Sequence, residues 1–124
     1  MKKVKSKIKW LKEPEEQDYP AALSYLSLIF HQEEAKEFAA GLKRAKVVEF
    51  KSKDIFRASG LSLLNDKNNH VKRNIEKIDR GEKLSPLLLV RDSTNGRVII
   101  ADGYHRVCAV YSKDEDIAIP CKIV

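Results

Sequence analysis

The sequence predicts an α+β fold, a small mixed β-sheet with helices packed against it. Two observations carry that expectation. Two β-like runs, Leu87 to Asp92 and Arg97 to Asp102, flank the turn signal Ser93-Thr94-Asn95-Gly96, which makes them a hairpin. The second run then passes through Gly103 straight into a segment of helical spacing that reaches about Ser112. Hairpins mixed with strand-to-helix crossovers argue for a sheet with both antiparallel and parallel neighbours. The chain has 124 residues, which fits one domain, and a hydrophobic share of 43% supplies an ordinary core.

The remaining elements come in order. Asp18-Tyr19-Pro20 opens a helix, with Asp18 as a cap and Pro20 tolerated in the first turn. Tyr19, Ala22, Leu23, Leu26, Ile29 and Phe30 recur at helical spacing behind it. A second helix starts near His31 and carries Ala35, Phe38, Ala39 and Leu42 on one face, giving a helical pair over residues 18–45. Lys46 to Phe50 reads as a short strand, and Ser52 caps a brief helix that stops at Gly60. Leu61 to Asn69 is a polar loop. A helix from about Asn69 to Arg80 ends at Gly81, and Ala118 to Val124 supplies the closing strand. Residues 46–124 form the sheet-bearing part, compact with the helical pair.

The net charge of +6 is concentrated. Lys2, Lys3, Lys5, Lys7, Lys9 and Lys12 account for all of it, and the other basic and acidic side chains balance. Residues 1–17 therefore read as a basic N-terminal arm, either a solvated tail or a segment that touches nucleic acid by neutralising phosphates. The arm has no apolar run before a small-residue cleavage site, and no segment approaches the about 18 apolar residues of a membrane span. A cytoplasmic protein with no membrane partner is expected. Cys108 and Cys121 match no zinc or redox spacing and read as small core residues, and no metal-ligand set is evident.

Chemistry is expected at Asp102-Gly103-Tyr104-His105-Arg106. A strand that enters a helix through glycine exposes unpaired N–H groups at the helix start, and with the helix dipole these attract an anion, most often phosphate. Arg106 can fork onto phosphate oxygens, and His105 can donate or shuttle a proton near neutral pH. Asp102 repels phosphate unless a cation intervenes. Its roles are therefore a share in Mg²⁺ binding, orientation of His105, proton acceptance or capping of the helix.

These residues resemble the signature of the ParB/sulfiredoxin superfamily, a glycine followed by His-Arg or Arg-Arg at a strand-to-helix turn. Asp102 to Arg106, with Ala109 beyond, is similar to the Asp-Gly-x-His-Arg of its ADP-dependent serine kinase branch. Pro86 to Val90 resembles the family's Pro-hydrophobic strand, and Ile119-Pro120-Cys121-Lys122-Ile123-Val124 its closing strand. The resemblance covers roughly residues 46–124. It implies a ParB/sulfiredoxin-like domain in which Gly103, Tyr104, His105 and Arg106 meet nucleotide phosphates. It also implies polar contacts from the preceding helix, where His70, Arg73 and Lys77 share one face. ATP or another nucleoside triphosphate with Mg²⁺ is the implied ligand. In the kinases an acidic residue near the start of the domain is catalytic, and Asp54 lies in a comparable region. Tyr104 replaces the catalytic cysteine of sulfiredoxins, which argues against sulfinic acid reduction.

Two functions are expected. One is a nucleotide-binding enzyme that hydrolyses or transfers a terminal phosphate, with Asp102, His105 and Asp54 as catalytic candidates. The other is a non-catalytic module that docks nucleic acid or protein through the lysine arm or the helical pair, the latter also a surface for a homodimer. A nuclease has little support, since the chain offers no carboxylate cluster.

Overall fold

Helices from different parts of the chain cover the two faces of one sheet. The computed structural model describes residues 7–124. In chain order its elements are β1 (Lys9–Trp10), α1 (Asp18–Ile29), α2 (Gln32–Arg44), β2 (Val48–Lys51), α3 (Ser52–Ser59) and α4 (Asn69–Asp79). They continue with β3 (Lys83–Leu84), β4 (Leu87–Asp92), β5 (Arg97–Asp102), α5 (Tyr104–Lys113) and β6 (Ala118–Ile123). The sheet runs β2-β6-β4-β5, with β4 antiparallel to β5 and parallel to β6, and β2 antiparallel to β6. The fold is therefore α+β with a mixed sheet, as expected.

Side-chain alternation sorts the core into two layers. Leu87, Leu89, Val98, Ile100, Ile119 and Cys121 face α3, α4 and α5, where Ile55, Phe56, Val71, Ile78, Val107 and Val110 meet them. Leu88, Val90, Ile99 and Ala101 face the helical pair, against Tyr19, Ala22, Leu26, Ala35 and Leu42. Strand β4 is covered on both sides, which is why its opening residues Leu87 to Val90 are apolar without alternation.

The ladder of β4 and β5 is regular from Asp92↔Arg97 to Leu89↔Ile100 and then slips, pairing Leu88 with Asp102. Ala101 is the extra residue. Such a bulge re-aims the side chains beyond it, and here it gives Asp102 the side of the sheet that Leu88 occupies, facing α1.

Several local expectations are revised. Ser52 caps nothing. It is the first residue of α3, buried, and its hydroxyl donates to the Glu115 carbonyl at 2.6 Å. Asp18 lies inside α1, where its carboxylate reaches back to accept from the Glu15 N–H at 3.2 Å and from the Ser85 hydroxyl. The side chain that does cap a helix is Asn68, which accepts from the His70 and Val71 N–H groups at the start of α4. The stretch read as an arm joins the domain: β1 pairs in parallel with β3, and Ile8 and Trp10 pack on the core layer beneath α3–α5. Lys7, Lys9 and Lys12 belong to this ordered stretch, whereas Lys2, Lys3 and Lys5 lie outside the described residues. Among the described residues no helix is long and apolar enough to cross a membrane.

Candidate functional site

The turn after β5 is built by Gly103. Its φ of 113° lies in the region that favours glycine, and a Cβ there would collide with Leu87 Cδ2 and stand 2.9 Å from Arg106 Nη1. Only a residue without a side chain lets α5 start this close to β4. No side chain caps that start, so the first N–H groups of α5 have no side-chain acceptor at the cap position.

Asp102 does not cap α5. It turns instead toward Arg106, whose Nη2 stands 3.5 Å from its Oδ2, an ion pair with both side chains mostly buried at 18% and 16% exposure. That oxygen accepts no hydrogen bond among the described residues. Burial pushes the Asp102 carboxyl up to about 6, against the pull of Arg106, and the nearby charges of Asp18 and Glu15 add to the rise. Arg106 Nη1 also approaches the Pro86 carbonyl at 3.4 Å, so the guanidinium clamps the end of β5 to the start of β4.

His105 leaves the turn on the other side. Its ring centroid lies 4.8 Å from that of His70 in the first turn of α4, so two helix starts bring two imidazoles together. Burial holds the His105 pKa below the ordinary imidazole value, and a charge on His70 lowers it further. Tyr104 stacks beside His105 at 5.3 Å, and its hydroxyl donates to the Ser62 carbonyl at 2.5 Å. Tyr104 thereby ties the loop before α4 to the start of α5, a positional role rather than a reactive one.

The other predicted site residues are more dispersed. Arg73 and Lys77 are exposed on α4, and Asn74 hydrogen-bonds the His70 carbonyl within that helix. Asp54 pairs with Arg57 at 3.2 Å and lines two cavities, neither of which includes Asp102, His105 or Arg106. Among the described residues no three His, Cys, Asp or Glu side chains are placed to hold a metal ion. Cys108 and Cys121 are fully buried, and burial raises both thiols, that of Cys121 to about 12, so both are inert packing groups.

Sequence reasoning missed one buried charge, that of Lys122 on the α1 face of β6. Its ammonium meets Glu13 at 3.0 Å, donates to the Lys43 carbonyl at 3.0 Å and lies over the Tyr19 ring. Strand alternation with Ile119, Cys121 and Ile123 on the opposite face was the signal that places it. Comparison with protein-family models, with curated proteins and with solved structures gives no match.

Proposed function

We propose that the protein binds the phosphates of a nucleotide at the turn between β5 and α5, as a ParB/sulfiredoxin-like domain would. The observation that carries this reading is the convergence of His70 and His105 beside the uncapped start of α5. Two imidazoles and a row of backbone N–H groups form a donor set for an anion, and the helix dipole has the matching sign. An anion between the rings offsets the burial and repulsion that hold His105 below its ordinary pKa. Arg106 joins the ligand by exchanging its long contact with Asp102 for a phosphate oxygen.

Hydrolysis or phosphate transfer needs a proton acceptor. Asp102, with a pKa of about 6, is suited to that task near neutral pH. Mg²⁺, arriving with a nucleoside triphosphate, would supply charge neutralisation at the phosphates, with Asp102 the carboxylate at the turn nearest to share it. Asp54, paired with Arg57 elsewhere, has no part in this scheme.

The test is isothermal titration with ATP, ADP, CTP and GTP, each with and without Mg²⁺, on the native chain and on a His70→Ala/His105→Ala variant. Saturable binding that the variant loses supports the reading. No binding by any of the four overturns it. Where one binds, turnover in the native chain and its loss in Asp102→Asn decide between an enzyme and a binding module.

A further inference from the structure

A concavity lies at the end of the sheet opposite the turn, and nothing in the nucleotide reading uses it. It has a volume of about 460 Å³, within the about 300–1,000 Å³ of small-molecule sites. Its origin is geometric. α3 is only 8 residues long, and beside it the partly exposed apolar groups of Phe50, Ala58 and Ile123 line a hollow over the buried Leu89, Val98 and Ile55. Leu89 and Val98 form the floor, Ile123 and Phe50 close one side, and Ile55 and Ala58 of α3 the other.

The rim is charged and its charges are not balanced. Asp54 is neutralised by Arg57 at 3.2 Å, and Arg97 is held by Asp92 at 2.9 Å. Arg91 follows Leu87 and Leu89 on the same face of β4 and lines the cavity. It is exposed and has no ion-pair partner among the described residues. A guanidinium at the mouth of an apolar hollow matches a ligand with the same division of character: an apolar body that covers Phe50, Ala58 and Ile123, and an acidic head that reaches Arg91.

We propose that this cavity binds a small amphipathic carboxylate, its chain against Phe50, Ala58 and Ile123 and its carboxylate on Arg91. Two features select that occupant. The apolar lining disfavours a nucleotide or sugar, whose polar groups would lose their water without replacement partners. The uncompensated cation disfavours an amine and leaves a neutral alcohol without the charge-assisted contact.

Octanoate is the probe, measured on the full chain by its displacement of the fluorescent anion anilinonaphthalene sulfonate, beside octylamine and octanol. Binding should be saturable, with octanoate at least tenfold tighter than either analogue. Arg91→Gln, at an exposed position where folding is preserved, should weaken octanoate about tenfold and leave octanol unchanged. Ala58→Trp should fill the hollow and abolish binding of both, with amide shifts at Gly96 and Val98 lost from the octanoate-titrated NMR spectrum. Equal affinity for octanoate and octanol, indifference to Arg91→Gln, or a chain that binds none of the three, whether or not it dimerises through this face, would each overturn the proposal. If Ala58→Trp does not fold, the Arg91→Gln comparison decides alone.

Discussion

The rings of His70 and His105 stand 4.8 Å apart, centroid to centroid, each in the first turn of its own helix. Neither helix alone makes a site. The packing of α4 on α5 makes one, and it makes the His105 imidazole sensitive to charge on His70. His105 should titrate below the ordinary imidazole pKa of about 6.5. In a His70→Asn variant its titration should move up, yet stay below that value, because burial is the larger cause and remains. The imidazole proton shifts in NMR across pH 5 to 8 read both results. An unchanged midpoint would mean that the rings do not communicate.

Asp102 sets a different pH dependence. Its folded pKa, about 6, lies above its ordinary 3.8, so the folded state holds the proton more tightly than the unfolded chain. The corresponding stability is complete below the unfolded pKa and is lost as pH rises through about 6. At about 1.4 kcal/mol per unit, ionising this group costs the fold on the order of 3 kcal/mol at neutral pH. That cost is already net of the attraction of Arg106, so Asp102→Asn should gain up to about 3 kcal/mol at pH 7.5 and little at pH 4. Urea denaturation of both proteins at the two pH values measures it. A variant less stable than the native chain at pH 7.5 would show that the Arg106 contact outweighs burial.

Gly103→Ala should be severe. The new methyl collides with Leu87 on a backbone whose φ, 113°, already resists any side chain. Leu87 is fully buried and cannot withdraw. A loss of about 3 kcal/mol is expected in denaturant midpoints, together with loss of any ligand binding at the turn.

Tyr104→Phe isolates the tie between α5 and the loop before α4. The ring remains and the bond to the Ser62 carbonyl goes, so stability should fall by only about 1 kcal/mol. The local effect is larger. Hydrogen exchange should quicken in residues 61–69 while the amides of β4 keep their protection.

Much of this architecture was legible from local pattern. The hairpin, the helix after Gly103 and the two opening helices depend on residues close in sequence, and the structure places them within a residue or two of expectation. β1 and β3 were not legible, because a parallel pair of two residues each leaves no periodicity to read. The caps failed for a related reason. Ser52 and Asp18 have the right chemistry beside a helix start, but their partners Glu115 and Ser85 arrive from distant parts of the chain. At the site, the sequence located Asp102, His105 and Arg106 together and placed His70 on a helix of its own. The resemblance set His70 and His105 at one ligand, but nothing in the sequence showed their rings in direct contact or Arg106 engaged by Asp102. Those pairings belong to tertiary packing.

The extra residue at Ala101 divides β5 into two regimes of tolerance. From Arg97 to Ile100 the strand keeps the sheet's alternation, so its acceptable substitutions are those of a packed core. Beyond the slip, Asp102 obeys the geometry of the turn. Deleting Ala101 would heal the ladder with Asp102 still opposite Leu88, so the carboxylate would keep the face of α1, near Asp18 and Glu15, while every hydrophobic pair below it stayed in register. A single-codon deletion thus offers a route from a bulged strand to an unbroken one with the same core and the carboxylate still on the face of α1.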